Sequence, residues 1–358
     1  MKLRRLVKTA AVFCMAAMIT ASFSGCQKKE ENTYNGLKPD AVLLTVGNEK
    51  VTLKEAFFLI KWQQARYQSL LGSQYGEKWY SSDLFGNGES FQDYYKDYTI
   101  DVLKRVCLAK QHMKEYGVEL TAEEKREIET VADTFMEENV KSAREAMMGD
   151  KDVVIDVLTG YKILEKVTAK AVEDVDNNIS DQEIRDEAYK KTYSYVYTSF
   201  QTTGENGKTI EMTSAQKQDA LLKLSRIRTD VLAGKDFDSA VSEQSLQVSN
   251  HSYKPGDKSD SLAEINDYMD TLQMGTVSEV VPLDTTGAFI GYLSSDNTDE
   301  LDNEEVVNTA KENIMYARKF EMFKGIVDKW KADVEIKLDE DLWSKVNMED
   351  ELSSLSKS

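Results

Sequence analysis

The chain has 358 residues, 41% of them hydrophobic and 30% charged, with a formal net charge of −18. That length admits two or three domains, and the charge argues against nucleic acid as a partner, because an acidic surface repels a phosphate backbone. Only three prolines interrupt the chain, Pro39, Pro255 and Pro282, which suits long helices.

The chain opens with MKLRRLVKTAAVFCMAAMITASFSGC. A basic head precedes an apolar run from Thr9 to Phe23 that is too short to span a bilayer as a helix. Small Ser24 and Gly25 then lead into Cys26. The segment resembles a bacterial lipoprotein signal, which is cut before a cysteine whose thiol takes a diacylglyceryl group. Phe23 stands where leucine is usual. The resemblance implies that residues 1–25 are removed, and that the chain is exported and held by lipid on Cys26 at the extracytoplasmic face of a bacterial membrane. Loss of Lys2, Arg4, Arg5 and Lys8 leaves 41 basic and 63 acidic residues, a net charge of −22. Residues 26–40 read as a polar tether. Cys14 leaves with the signal and Cys26 carries lipid, so Cys107 has no partner for an intramolecular disulfide. It shares a helical face with Ile100 and Leu103 and reads as a buried, inert thiol.

Residues 41–53, AVLLTVGNEKVTL, spell a hairpin about a Gly-Asn turn. Thr52 with Glu55 forms a capping box opening a helix that carries Phe57, Ile60 and Trp62. A glycine-punctuated aromatic loop follows, then helices near 90–117, 122–147 and 151–172. Thr121 with Glu124 and Ser180 with Glu183 are two more capping boxes. A helix over 181–191 runs into TYSYVYTSF, residues 192–200, whose β-branched and aromatic content marks a strand. Turn residues lead to a helix over 215–233 striped with Leu221, Leu224, Ile227 and Val231. GKDFDSAVSEQS is a short helix, SNHSYKPGDKSDS a loop containing His251, and SLAEINDYMDTLQM a third helix. VPLDTTGAFIGYL spells a strand, a turn and a second strand. A long helix to about Trp330 carries Val307, Ala310, Ile314, Ala317 and Phe320. The alternating ADVEIKL, 332–338, is a strand placed to pair with 41–46.

The fold class is therefore α+β and mostly helical. A helical domain is built from both chain ends, 41–191 and 297–345. A small α/β domain, 192–296, is inserted in it, and 346–358 are a disordered tail. The order strand, helix, short helix, helix, strand pair resembles a parvulin-type peptidylprolyl isomerase domain. In LQMGTVSEVVPLDTTGAFIGYL, the residues Leu272, Gly275, Val277, Ser278, Val281, Gly287, Ile290 and Leu293 stand where that family carries its own pattern, ending in G-x-H-I-I-x-L. Gly234, Asp236, Phe237, Ala240 and Ser245 match a second family pattern. With the lipoprotein signal and flanking helices, the whole chain resembles PrsA-type foldase lipoproteins, and its N-terminal half a SurA-type chaperone domain.

Rotation about an X–Pro bond faces an amide-resonance barrier of roughly 20 kcal/mol. Parvulins lower it with two buried histidines, a cysteine or aspartate, and a serine or threonine beside an apolar proline pocket. Carried onto this chain, the histidines fall on Tyr195 and Phe289, the acid or thiol on Gln247, and Thr286 alone keeps the hydroxyl. Ile265 falls where a pocket aromatic is usual, so Tyr195, Ile265 and Phe289 outline the substrate pocket. Two imidazoles are missing, so the resemblance implies weak or lost catalysis, and enzyme status stays undecided. Alternatives are an active peptidyl-prolyl cis-trans isomerase and a lipoprotein that binds one dedicated partner. The expected partners are unfolded or secreted polypeptides, the membrane through the N-terminal lipid, and no nucleic acid. A homodimer is left open. Trp79, Tyr80, Phe85, Phe91, Tyr94, Tyr95 and Tyr98 are candidates for an exposed client-binding patch, or else for core. No P-loop, G-x-G-x-x-G, H-E-x-x-H or C-x-x-C occurs, acidic runs read as solvated faces, and neither cofactor nor metal is expected.

Overall fold

The computed structural model describes residues 37–76, 78–86, 88–203, 209–283 and 286–348. The signal segment, Cys26, the tether up to residue 36 and the tail beyond residue 348 lie outside the described residues. The first elements are β1 (Val42–Val46), β2 (Glu49–Thr52), α1 (Leu53–Tyr75), α2 (Phe91–His112), α3 (Ala122–Glu138), α4 (Lys141–Ala146) and α5 (Lys151–Ala171). Then come α6 (Asp181–Ala188), β3 (Lys191–Ser199), β4 (Gln201–Thr203), β5 (Thr209–Glu211), α7 (Ser214–Leu232) and α8 (Phe237–Glu243). They are followed by β6 (Ser249–Tyr253), α9 (Ala263–Asp270), β7 (Val281–Leu283) and β8 (Gly287–Asp296). The chain closes with α10 (Glu304–Ala332), β9 (Ile336–Leu338) and α11 (Glu340–Trp343).

The protein is α+β and mostly helical, and it divides into two compact units. The described residues up to Asp176 with those from Arg318 to Met348 form one, and the described residues of Asn177–Ala317 form the other. In the first, β1 pairs antiparallel with β2 and with β9, Leu44 lying opposite Leu338. Strands from near both chain ends thus complete one sheet, while β9 starts at Ile336 because α10 continues to Ala332.

The three capping boxes form. The amides of Thr52, Thr121 and Ser180 donate to Glu55, Glu124 and Glu183 at 2.6, 2.8 and 2.9 Å. A fourth, between Thr213 and Gln216, opens α7. The helix expected over 122–147 breaks at Asn139, whose backbone is extended and whose Nδ2 donates to the Phe135 carbonyl at 3.0 Å. A side chain that satisfies the last turn's carbonyl competes with helix continuation.

The first unit's core joins Phe57, Phe58 and Ile60 of α1, Ile100, Leu103 and Cys107 of α2, and Val153, Val154, Ile163 and Val167 of α5. Helices α2 and α5 approach closely over Gly160, where an added Cβ would lie 2.7 Å from Val106 Cγ1. Burial pushes the Cys107 thiol up to about 12, which suits an inert core residue.

One open alternative is resolved here, and two sequence expectations change. The aromatic candidates are not an exposed patch: Trp79, Phe91 and Tyr95 are buried, and Tyr80, Phe85, Tyr94 and Tyr98 are half-buried against them. Their rings interlock, with Trp79–Phe91 centroids 4.8 Å apart and Phe91–Tyr95 4.5 Å apart, and Tyr95 Oη donates to Tyr67 Oη at 3.2 Å. Edge-to-face and tilted contacts among large rings are a strong packing term, so the cluster closes on itself. The tail expected from 346 begins with core residues, since Val346 and Met348 are fully buried and the Met348 amide donates to Gln92 Oε1. The tether is likewise packed from Leu37.

In the second unit, β6, β3, β8 and β7 form an antiparallel sheet in that order. Side chains alternate across it. Val196, Ala288 and Ile290 pack under Leu224 and Ile227 of α7 and Phe237, Ala240 and Val241 of α8. Tyr193, Phe289 and Leu293 face the other way, under Ile265 and Met269 of α9. The unit extends beyond 192–296 because Ile184 and Ala188 of α6 pack with Leu301 and Ala310, and half-buried Val307 and Ile314 join them. Phe320, expected on the same stripe, is exposed.

Candidate functional site

Three of the residues singled out by sequence, Tyr195, Ile265 and Phe289, lie at the α9 face of this sheet. Central strand β3 presents Tyr193, Tyr195 and Tyr197 at alternate positions, and β8 presents Phe289, Gly291 and Leu293. Tyr195 and Phe289 meet with centroids 6.1 Å apart, and Tyr193 lies 5.6 Å from Tyr195 and 6.2 Å from Phe289. Ile265 joins the same cluster from α9. The three pocket candidates Tyr195, Ile265 and Phe289 are thus brought together.

Phe289 is 1% exposed. Its ring folds back over Gly291: a Cβ on Gly291 would lie 2.7 Å from Phe289 Cζ and 3.0 Å from Met269 Sδ. The missing side chain at 291 gives the ring its room, so the ring is stored in the core rather than projected toward a ligand. Gly287, at the start of β8, is equally constrained, because a Cβ there would lie 2.4 Å from the Thr198 carbonyl oxygen. Ser278 is fully buried and pins the lead-in to β7 against β8: its Oγ accepts from the Gly291 amide at 2.9 Å and donates to the Glu279 carbonyl at 2.6 Å.

The other two candidates stay apart from the rings. Thr286 is exposed in the turn between β7 and β8, where its Oγ1 donates to the Leu283 carbonyl at 2.8 Å. Its own carbonyl accepts from the Phe200 amide at 2.8 Å and from Tyr197 Oη at 3.0 Å. The hydroxyl is committed to turn geometry. Gln247 is exposed in the loop between α8 and β6.

His251 is placed differently from the sequence expectation. The loop expected around it is strand β6, and His251 stands directly opposite Tyr193 on β3. Its Nε2 meets Asp260 Oδ2 at 3.0 Å, with the Asp260 side chain 2% exposed. The imidazole packs edge-on against Tyr193, centroids 5.4 Å apart, and parallel to Tyr253. Asp260 also accepts from the Leu262 amide at 2.9 Å. Nearby, Tyr193 Oη donates to Asn266 Oδ1 at 3.0 Å, and Tyr253 Oη and Lys191 Nζ both donate to Asp270 Oδ1 at 2.8 Å. Burial pushes the phenols of Tyr193 and Tyr253 well above their ordinary range, and the Asp270 carboxylate adds to the shift at Tyr253. These phenols are hydrogen-bond donors, not bases.

No protein-family model matches the chain, and no curated protein does. Among solved structures the chain is similar to a SurA-like chaperone of Campylobacter jejuni, at 12% identity and a TM-score of 0.30, over 83% of this chain and 98% of that one. It is similar to PrsA from Bacillus subtilis at 14% identity and a TM-score of 0.22, over 86% of this chain and 98% of that one. It is similar to foldase protein PrsA from Streptococcus pneumoniae at 13% identity and a TM-score of 0.27, again over 86% and 98%. Scores at this level say nothing about activity.

What the arrangement can do chemically follows from its groups. The face offers rings, phenols held protonated, one imidazole engaged by a buried carboxylate, and no nucleophile among the cluster residues. Among the described residues no group of three or more potential metal ligands converges. No helix among them is long and apolar enough to cross a membrane. The polar set around His251 escaped the sequence reading because SNHSY has no apolar alternation. The one available signal was its terminal Tyr253, two residues from His251 on a shared strand face.

Proposed function

We propose that this chain is a membrane-anchored, extracytoplasmic folding helper built on a parvulin-type module, with isomerase catalysis weak or lost. The supporting observation is the state of the two positions where the resemblance puts imidazoles. Tyr195 is packed among rings and Phe289 is stored over Gly291, so neither presents a hydrogen-bonding imidazole to a twisting amide. A barrier of roughly 20 kcal/mol falls only where the twisted amide is stabilised more than the planar one. The lipoprotein-like start with Cys26 supports placement where exported chains emerge unfolded. Unfolded or secreted polypeptides are the partners that fit this placement.

Two assays on the purified chain test this. An aggregation assay with several unfolded clients should show suppression near one-to-one stoichiometry. A proline-limited refolding assay should show a rate near the uncatalysed one. Failure to suppress aggregation of any client removes the helper reading. Strong acceleration that disappears in Tyr195→Ala and Phe289→Ala replaces it with an active isomerase. A single stable complex in place of many transient clients would instead mark a dedicated binder.

A further inference from the structure

The α9 face of the sheet is closed by an unusual seam. Only Ile265, Asn266 and Met269 of α9 are buried, and just two of these are apolar. Half-buried Leu262, Tyr268 and Leu272 add apolar contact at its margins, and the polar attachments run in one sense. Acids and an amide on the helix side, Asp260, Asn266 and Asp270, meet His251, Tyr193, Tyr253 and Lys191 on the strand side. The helix has no side-chain cap at its N-terminus, where Leu262 stands. Asn266 Nδ2 is buried without a hydrogen-bond partner. A buried unpaired donor raises the free energy of the closed state, and water would satisfy it on opening. Glycines in the left-handed region flank the segment, Gly256 at φ +78° and Gly275 at φ +79°, and neither has a packed neighbour closer than 3.9 Å to an added Cβ. Such positions absorb backbone rotation at the ends of a moving element.

We propose that residues 257–274 are a detachable cover, latched across the ring face by the His251–Asp260 and Tyr253–Asp270–Lys191 contacts. Opening the cover swings α9 off Phe289 while β3, β6 and β8 stay paired. The opposite face is built to hold the sheet meanwhile, since Val196, Leu224, Ile227 and Ile290 are buried there in one hydrophobic cluster that half-buried Tyr292 joins. Each hydrogen bond that opening breaks is replaced by one to water, whereas the apolar face has no such exchange. Use of the opened ring face for client capture rests on the folding-helper reading; the latch itself does not.

Hydrogen exchange on the full chain tests the latch independently of any client. In Asp260→Asn, and separately in Tyr253→Phe, amides of 260–272 should exchange roughly tenfold faster than in the parent, with β3 and β8 changed by less than about twofold. Fluorescence of added bis-ANS, used as the probe of exposed rings, should rise in the same variants. Equal acceleration across 260–272, β3 and β8 would mean general loosening and overturn the latch. Unchanged exchange at 260–272 in both variants would also overturn it. If Asp260→Asn does not fold, Tyr253→Phe, which removes one hydroxyl, carries the decision alone.

Discussion

The two faces of the β6-β3-β8-β7 sheet are made by the same strands from alternate residues, yet they differ in kind. Under α7 and α8 the cluster is aliphatic apart from Phe200, Phe237 and half-buried Tyr292, and α7 and α8 lie on it through Leu224, Ile227, Phe237, Ala240 and Val241. Under α9 the strands contribute Tyr193, Tyr195, Tyr253, Phe289 and Leu293, on which Ile265, Met269 and half-buried Leu262, Tyr268 and Leu272 pack, and a file of acids and phenols adds a polar seam. A hydrophobic contact is non-directional and survives small shifts, while a hydrogen bond is broken by a fraction of an ångström and regained from water. One face therefore fixes the module, and the other is where a ligand or a moving element can be accommodated. Sheet proteins with one structural and one working face separate these demands by the period-two alternation alone.

Adjacent residues on β8 give the most severe test of this comparison. Phe289→Ala and Ile290→Ala each empty a fully buried position, on opposite faces. They should cost about 3–5 and about 2–5 kcal/mol respectively in chemical denaturation. The comparison predicts that Ile290→Ala loosens the whole sheet in hydrogen exchange, while Phe289→Ala loosens chiefly 260–272; identical exchange patterns would break it. Gly291→Ala comes next. Its methyl would meet Phe289 Cζ and Met269 Sδ, so a loss of about 1–3 kcal/mol is expected, with Tyr193 and Tyr195 fluorescence altered as the ring is displaced. An unchanged midpoint of denaturation would show that Phe289 has other room than the space over Gly291.

Smaller effects sharpen the scale of the polar seam. Tyr193→Phe removes the hydroxyl that donates to Asn266, leaving Oδ1 as well as Nδ2 without its partner, and should cost about 1–3 kcal/mol. A polar pair in the other unit supplies the reference. Glu124 caps α3 and accepts from Lys166 of α5 at 2.8 Å, and Lys166 first, with the Thr121 amide, holds its carboxyl down to about 2 from an ordinary 4.5. Its folded value lies below its unfolded one, so its contribution is complete above 4.5 and is lost as pH falls toward 2. Glu124→Gln should lower stability by about 1 kcal/mol at neutral pH and flatten the acid limb of the stability profile over that window. A Tyr193→Phe loss smaller than the Glu124→Gln loss would mean that the seam is no stronger than a surface cap.

Much of the chain was legible before the fold was known, for local reasons. The capping boxes at Thr52, Thr121 and Ser180 form because each bonds groups three residues apart. Tyr193, Tyr195 and Phe289 share one face because their positions on β3 and β8 follow a period of two, whereas Ile265, grouped with them by the resemblance, reaches them from helix α9. His251 was not legible. SNHSY has no apolar pattern, and its strand conformation comes from pairing with β3 at the sheet edge. Asp260, nine residues on, meets it only because the loop before α9 returns over that edge. The ring-rich segment around Phe91 read equally well as patch or core, since composition does not say which neighbours cover a ring.

The sequence by itself determined the helix starts, the strand faces, the buried fate of Cys107 and the absence of imidazole at positions 195 and 289, because these depend on residue identity and on spacings of two to seven. Only the tertiary structure decided that Phe289 lies over Gly291, that the rings beside Trp79 close on themselves, and that His251 pairs with a buried Asp260. Those outcomes depend on contacts between distant segments, where the free energy is set by what is excluded from water and not by what is adjacent in the chain.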